Sequence, residues 1–346
     1  MFVKNIWYVA AWAYEVEGDT LLDRTIAGER VVFFRTADGT IKALENRCLH
    51  RAAPLSLGMR EGDSIRCAYH GLKFNAEGKC EEIPGQQVIP PNACVRNYAV
   101  AELGGWVWLW AGDAQRADTG LIPRFKHLGE PCWHVRTGYL HYAADYQLVN
   151  DNLLDLSHIS YLHNATFGGG NMKWAELVPE VRRTESGFEF ERWMINQPGA
   201  PSNKGSFKED SLFDFLNIYQ FVAPGVLSIE SKFQKSGTGT REKMSNVEYR
   251  ENMSWQAITP EADGSTHYFF SIAIPDWDDE AKMEGMNRGL LLGFEEDRVM
   301  IEAQQKVLAG DETGRPLSGL VTAHDSPMLQ MRRMIRRMID DEARGS

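Results

Sequence analysis

The sequence predicts an α+β protein in two parts: a small all-β domain over residues 1–112, then a larger domain over residues 113–346 that combines an antiparallel sheet with helices. Three observations predict this. Up to Trp110 the apolar residues fall in short runs broken by glycine turns, with no useful helical period. Beyond Pro123, alternating runs such as Phe188-Glu189-Phe190-Glu191-Arg192-Trp193 accompany long helical segments. Between the two lies Ala111–Pro123, with Gly112, Asp113, Asp118, Gly120 and Pro123, which reads as a linker.

In the first part, Arg30–Arg35 reads as a strand, Ala37–Thr40 as an Asp-Gly hairpin turn and Ile41–Glu45 as the returning strand. Leu72–Phe74 and Cys80–Ile83 flank a second turn at Ala76-Glu77-Gly78. Trp106–Trp110 is apolar throughout, as expected of a fully buried strand. In the second part, strands are expected at Phe188–Trp193, Asn217–Phe221, Val226–Phe233, Val247–Thr259 and His267–Ile274. Helices are expected at Tyr146–His163, Asp279–Leu308 and Ser326–Arg344. In the last of these, Met331, Met334, Ile335, Met338 and Ile339 share a face opposite Arg332, Arg333, Arg336 and Arg337. Packing of that face on the core is favoured over docking on a membrane or a partner.

Composition narrows the function. The chain is 43% hydrophobic and 25% charged, which is ordinary for a globular protein. Its densest apolar stretches, Trp106–Trp110 and Leu290–Phe294, are far too short to span a bilayer, so no membrane insertion is expected. The start, Met1-Phe2-Val3-Lys4-Asn5 running into Trp7–Trp12, lacks a basic region and a cleavage site, so no signal peptide is expected. Five cysteines, an odd number, fit a reducing cytoplasm. A net charge of −11 argues against nucleic-acid binding. No Gly-x-Gly-x-x-Gly fingerprint is present, and Gly168-Gly169-Gly170 lacks the Lys-Ser/Thr of a phosphate loop; a flexible loop beside a site is the better reading. If the protein is a redox enzyme, a nicotinamide cofactor is expected to bind elsewhere.

Two constellations carry chemistry. The first is Cys48-x-His50, sixteen residues, then Cys67-x-x-His70. Four of the chain's five cysteines and nine histidines thus fall in one 23-residue window. Two sulfurs and two imidazoles in short pairs suit either a tetrahedral zinc ion or a two-iron cluster with cysteines on one iron and histidines on the other. Cys80, Cys94 and Cys132 lack such spacing and are expected to be small buried residues. Arg47, Arg51, Arg60 and Arg66 crowd the same region, either as a docking patch for an acidic redox partner or as a solvated loop surface.

The second is Asp151-Asn152-Leu153-Leu154-Asp155, followed by His158 and His163. On one ideal helix the two histidines lie about 140° apart, too wide for a single ion unless the helix breaks, for which Ser160 is the candidate point. A two-histidine, one-carboxylate triad for non-haem iron needs one more acid, and Glu295, Glu296, Asp297 and Glu302 are candidates that spacing does not separate.

Together these residues resemble the oxygenase components of Rieske non-haem iron oxygenases, in the group of vanillate O-demethylase, dicamba O-demethylase and toluenesulfonate monooxygenase. The resemblance covers nearly the whole chain. It rests on Asn5-x-Trp7-Tyr8-Val9-Ala10, Cys48-Leu49-His50-Arg51, Cys67-Ala68-Tyr69-His70-Gly71-Leu72, Ile83-Pro84-Gly85-Gln86, Asp151-Asn152-Leu153-Leu154-Asp155, His158-x4-His163 and Glu296-Asp297. Leu49 departs from the proline common at that position, which removes no ligand.

The resemblance implies a Rieske domain followed by a helix-grip catalytic domain. It implies a [2Fe-2S] cluster on Cys48, Cys67, His50 and His70, and Fe2+ on His158, His163 and Asp297. Asp155 matches the family's bridging aspartate, expected to accept hydrogen bonds from His158 and from His70 of a neighbouring subunit in a homotrimer. Asn152 matches a residue lining the iron site. The implied reaction is O2-dependent O-demethylation or hydroxylation of a small aromatic acid, vanillate-like, with methyl hydroxylation of an aryl sulfonate as the alternative. Electrons would come from NADH through a reductase, with or without a ferredoxin. A Rieske electron carrier without oxygenase activity, and a zinc-stapled binding protein, are the readings of other classes.

Overall fold

The computed structural model describes residues 1–124, 133–166, 168, 171–199, 211–275, 280–311 and 320–345, apart from the side chain of Lys282. The chain divides into two compact units. One comprises Met1–Arg124, Thr259–Asp263 and Asp341–Ser346; the other comprises Phe125–Ile258 and Gly264–Asp340.

The first unit holds eleven strands: β1 (Trp7–Trp12), β2 (Leu22–Ile26), β3 (Glu29–Arg35), β4 (Ile41–Glu45), β5 (Met59–Glu61), β6 (Ser64–Arg66), β7 (Lys73–Phe74), β8 (Cys80–Glu82), β9 (Asn97–Tyr98), β10 (Val100–Leu103) and β11 (Trp106–Trp110). They form three small sheets, β1-β11-β10, β2-β3-β4-β9 and β5-β6-β7-β8. The uninterrupted Val31-Val32-Phe33-Phe34 of β3 has a simple cause. Val31 and Phe33 enter one core with Tyr8, Ile41 and Leu109. Val32 and Phe34 enter another with Ile65, Phe74 and the two cysteines Cys48 and Cys67. Both faces of the strand are buried, so alternation would be penalised.

Sequence periodicity missed β1, which is also buried along its whole length, β2 and β10, and the very short strands β5, β6 and β9. The segment expected as a bare linker folds with this unit instead. Asp113 and Asp118 cap two short 3-10 turns, Ala114–Arg116 and Thr119–Leu121. The indole of Trp7 donates to the Asp118 carbonyl at 2.8 Å.

The second unit is built on a seven-stranded antiparallel sheet of β12 (Trp133–Tyr142), β13 (Glu180–Arg183), β14 (Gly187–Pro198), β15 (Leu212–Val222), β16 (Val226–Lys235), β17 (Arg250–Ala262) and β18 (Ser265–Pro275). Its order is β12-β18-β17-β16-β15-β14-β13, so all neighbours but one are joined in sequence and the first strand returns beside the last. The helices are α1 (Tyr146–Leu154), α2 (Lys173–Glu176), α3 (Glu280–Ala309) and α4 (Ser326–Gly345). Met283 of α3 is buried with Ile272 and Ile274 of β18, which lays α3 on the sheet. On α4, Met331 and Ile335 are buried, as expected of an apolar face packed on a core. No helix among the described residues is long and apolar enough to cross a membrane.

One helix departs from expectation. Residues 146–163 do not form a single helix: α1 ends at Leu154, and a 3-10 turn runs over Leu156–Ser160. The break falls at Asp155 rather than Ser160. The Asp155 carboxylate accepts from the N–H of Ser157 at 2.9 Å and from its hydroxyl at 2.6 Å. An aspartate that satisfies the N–H two residues ahead starts a new turn and stops the old helix.

Candidate active site with two metal centres

In the first unit the Cys48 and Cys67 loops are built alike. The Cys48 N–H donates to the Ala53 carbonyl at 2.8 Å, and the Ala52 N–H returns to the Cys48 carbonyl at 3.0 Å. The Cys67 N–H donates to Leu72 at 2.8 Å, and Gly71 returns to Cys67 at 3.0 Å. In each loop the fourth residue after the cysteine has a positive φ, 55° at Ala52 and 75° at Gly71. The loops fold back so tightly that each cysteine points into the core while the histidine two or three residues on stays at the surface.

Cys48 and Cys67 are each 2% exposed. His50 and His70 are exposed, with ring centroids 4.4 Å apart. Burial pushes the Cys48 thiol up to about 11, while the N–H groups of His50 and Arg51 aimed at its sulfur work the other way. Those two donors suit a thiolate, which a bound cation would stabilise. Paired sulfurs inside and paired imidazoles outside match a site with sulfur on one side and nitrogen on the other.

The surroundings correct one expectation and bear on another. Cys94 is exposed rather than buried, whereas Cys80 is buried as expected, and Cys132 lies outside the described residues. Of the four arginines, Arg66 is engaged by Glu61 and Glu82, and Arg60 bonds to the carbonyls of Gly18 and Gly62. Arg47 and Arg51 are exposed.

In the second unit the break at Asp155 turns His158 and His163 toward each other. Their Nε2 atoms are 3.2 Å apart. Asp297 Oδ1, from α3, lies 3.5 Å from His158 Nε2 and 3.1 Å from His163 Nε2. Among the four candidate acids, α3 presents Asp297 to the triangle. Glu296 accepts from His163 Nδ1 at 2.7 Å, Glu295 pairs with Arg298, and Glu302 accepts from the Ala143 N–H at 3.1 Å.

The donor set fits a divalent metal. His158 Nδ1 donates to the backbone carbonyl of Asp155, and His163 Nδ1 donates to the Glu296 carboxylate. Neither acceptor has a proton to give, so both Nδ1 atoms carry hydrogen, which leaves both Nε2 atoms able to turn a lone pair toward a metal. Two Nε2 atoms and a carboxylate oxygen then converge on one point, as ligands of a cation do. Three ligands at right angles, each about 2.1 Å from an ion, stand about 3.0 Å apart. The observed 3.1–3.5 Å edges are close to that.

Asp297 is 4% exposed, and Asn152 donates to its Oδ1 at 2.8 Å. Burial lowers the His158 pKa, against the pull of Asp297. Burial acts the same way on His163, but Asp297 and Glu296 outweigh it and its pKa is raised. The sequence-based expectation for Asp155 needs one correction. His158 Nδ1 bonds to the Asp155 backbone carbonyl, not to its carboxylate, one oxygen of which accepts from Ser157.

The triangle opens on a cavity of about 240 Å³. Period-two alternation builds one wall: β15 contributes Phe215, Asn217 and Tyr219, and β16 and β17 contribute every second residue in the same way. The opposite wall comes from α3 with Met286, Leu290 and Phe294, and from Trp174. Gly168 also lines it; a Cβ there would sit 2.2 Å from the Ile159 carbonyl oxygen. Gly169 and Gly170 lie outside the described residues.

Sequence reasoning did not single out Thr166, whose hydroxyl donates to Glu296 at 2.7 Å, or Arg332, which holds Asp151 through a bidentate contact. Nothing local marks them, because each acts across more than a hundred residues of chain.

Comparison with known proteins agrees with this geometry. Residues 6–99 match the Rieske [2Fe-2S] domain, and residues 142–341 match the vanillate O-demethylase oxygenase C-terminal domain. The chain is 39% identical to the iron-sulfur subunit of a toluene-4-sulfonate monooxygenase system from Comamonas testosteroni, covering 100% of this chain and 99% of that one. It is 34% identical to a vanillate O-demethylase oxygenase subunit from a Pseudomonas strain, covering 99% and 96%. Dicamba monooxygenase bound to dicamba superposes with a TM-score of 0.88 at 29% identity, over 99% of each chain. The donor atoms of the cysteine and histidine loops alone would also suit zinc, and the domain match decides for the cluster. A full-length match to oxygenase components excludes a bare electron carrier. The chain belongs to the Rieske non-haem iron oxygenases, as the oxygenase component of a multicomponent monooxygenase with a [2Fe-2S] domain and a non-haem iron domain of the vanillate O-demethylase type.

Proposed function

We propose that this oxygenase oxidises a methyl carbon borne by a small aromatic anion. The substrate is an O-methyl aromatic acid such as vanillate, or an aryl sulfonate such as toluene-4-sulfonate. The observation that carries the reading is the open side of the His158–His163–Asp297 triangle, which faces a cavity lined by aromatic rings and neutral amides. The aryl sulfonate gains support from the higher identity to the toluene-4-sulfonate subunit, 39% against 34% for the vanillate one.

In this reading residues 1–112 carry the cluster, with Cys48 and Cys67 on one iron and His50 and His70 on the other. The second unit carries Fe2+ on His158, His163 and Asp297. When bound, the two groups supply single electrons and the reductive activation of O2. The chain supplies the rest. Glu296 and the Asp155 carbonyl set the tautomers of the two imidazoles, and Asn152 holds the Asp297 carboxylate in place. The aromatic walls exclude water and orient the ring so that its methyl carbon faces the triangle. Asp155 spends one carboxylate oxygen on Ser157 and offers the other to His70 of a neighbouring subunit in a homotrimer. A reductase, directly or through a ferredoxin, passes electrons from NADH, which places the system in the cytoplasm.

The test is to combine the purified chain with a reductase and supply toluene-4-sulfonate or vanillate. NADH and oxygen consumption should match product one to one, as the alcohol or as the phenol plus formaldehyde. Oxygen uptake without either product overturns the proposal.

A further inference from the structure

Arg192 is 2% exposed and lies on the inward phase of β14, between the buried Phe190 and Met194. Its Nη1 donates to the Trp174 carbonyl at 2.7 Å, and its guanidinium carbon lies 5.8 Å from the centre of the Trp174 ring. Its Nε and Nη2 are buried and make no hydrogen bond. Among the described residues no carboxylate forms an ion pair with it, although the Asp155 carboxylate and the Tyr219 phenol act on its charge from a distance. A guanidinium left without a counter-ion in a protein interior is costly, and such groups are retained where an anion completes them.

The anion has an obvious place. On β15, Asn217 stands directly across from Arg192, and Tyr219 pairs with the neighbouring Phe190. Asn217, Tyr219 and Trp174 all line the substrate cavity. Directly paired residues share a sheet face, so Arg192 stands beside Asn217 on the face that lines the cavity, one strand further out. The cavity lining itself contains no lysine or arginine among the described residues.

We propose that Arg192 is the specificity-determining residue that recognises the negative end of the aromatic substrate, its sulfonate or carboxylate, at the Asn217–Trp174 end of the cavity. This rests on the proposed aromatic-anion reading and deepens it. In the dry interior a fixed cation acts on an anion across a neighbouring side chain, because little water screens it. The Asn217 amide supplies a neutral donor at the same end. A purely structural role, capping α2 through the Trp174 carbonyl, would use one of five N–H groups and would not require the charge.

The experiment is calorimetric titration of the holoprotein with toluene-4-sulfonate and with its neutral counterpart toluene-4-sulfonamide, alongside steady-state kinetics. The wild type should bind the sulfonate at least tenfold more tightly. Arg192→Met should lose that tenfold for the sulfonate, shift the sulfonamide less than twofold, and raise KM with kcat little changed. Arg192→Lys, which keeps the charge, should recover part of the preference. Equal affinity of the folded Arg192→Met protein and the wild type for the sulfonate overturns the assignment, as does a wild type that does not prefer the sulfonate. If the wild type still oxidises neutral methylated aromatics in that case, the methyl oxidation stands without the anion site. Asn217→Asp is the check on the unpaired charge itself. It places a carboxylate across from Arg192 and should raise Tm, whereas a lower Tm would show that the guanidinium was already satisfied.

Discussion

Glu296 and Asp297, adjacent on α3, engage opposite edges of the same imidazole. Glu296 Oε2 lies 2.7 Å from His163 Nδ1, and Asp297 Oδ1 lies 3.1 Å from His163 Nε2. One carboxylate orients the ring while the other shares its outward nitrogen's target. Carboxylates that accept from a ligating histidine raise its basicity and fix its tautomer. Glu296→Ala should therefore lower iron affinity by roughly 10–100-fold. Competition with a chelator during dialysis, followed by iron analysis, measures it; unchanged retention would remove Glu296 from the site.

Asp155→Asn tests the bridging role apart from the fold. The amide oxygen of asparagine still accepts from the Ser157 N–H, so the break after α1 should survive. Both metal centres should load normally, with the visible spectrum of the cluster unchanged. Turnover should nearly vanish because the charge on the bridge is gone. Normal turnover in a fully loaded variant would show that Asp155 is only a cap.

Gly71 and Gly85 separate strain from collision in the cluster unit. Both have positive φ, 75° and 77°. A Cβ at Gly71 would lie 2.9 Å from Pro84 Cγ, whereas one at Gly85 meets nothing within 4 Å. Gly85→Ala should cost only the backbone penalty, about 1–2 kcal/mol. Gly71→Ala should cost more and release the cluster faster on heating, since Gly71 closes the Cys67 loop. Bleaching of the visible absorbance against temperature reads the difference, and equal loss from both variants would contradict it.

Asp151 gives a pH signature. Burial pushes its carboxyl up to about 6, against the opposing pull of Arg332. A carboxyl whose folded pKa exceeds its unfolded value stabilises the fold below the unfolded pKa, near 4, and that contribution is lost as pH rises through 6. The loss is on the order of 2–3 kcal/mol. Asp151→Asn cannot titrate. The wild-type stability minus that of Asp151→Asn should thus fall between about pH 4 and pH 6 and then level off. Urea denaturation at four or five pH values measures this, and a flat difference refutes it.

Arg192 shows how close to legible a buried residue can be. The alternation Phe188-Glu189-Phe190-Glu191-Arg192 puts a charge on the apolar phase of a strand, and the structure confirms that phase. What periodicity lacks is the identity of the facing residues, since Asn217 pairs with Arg192 only through sheet register.

The same division runs through the whole protein. What the sequence alone settles is short-range or strictly periodic: the Cys48/His50 and Cys67/His70 loops, the long helices α3 and α4, the buried β11 and five of the seven strands of the large sheet, β14 to β18, with β12 and β13 missed. Those depend on neighbours within a turn or two, so composition and spacing carry them. The helix break at Asp155 is equally local, a side chain outcompeting the helical backbone two residues ahead, but helical periodicity does not register it. Tertiary structure decided the rest. It selected Asp297 from four nearby acids, because only the angular position on α3 separates them. And it brought Glu296 to both His163 and Thr166. Such contacts span more than a hundred residues and arise when chain segments pack, which no local pattern encodes.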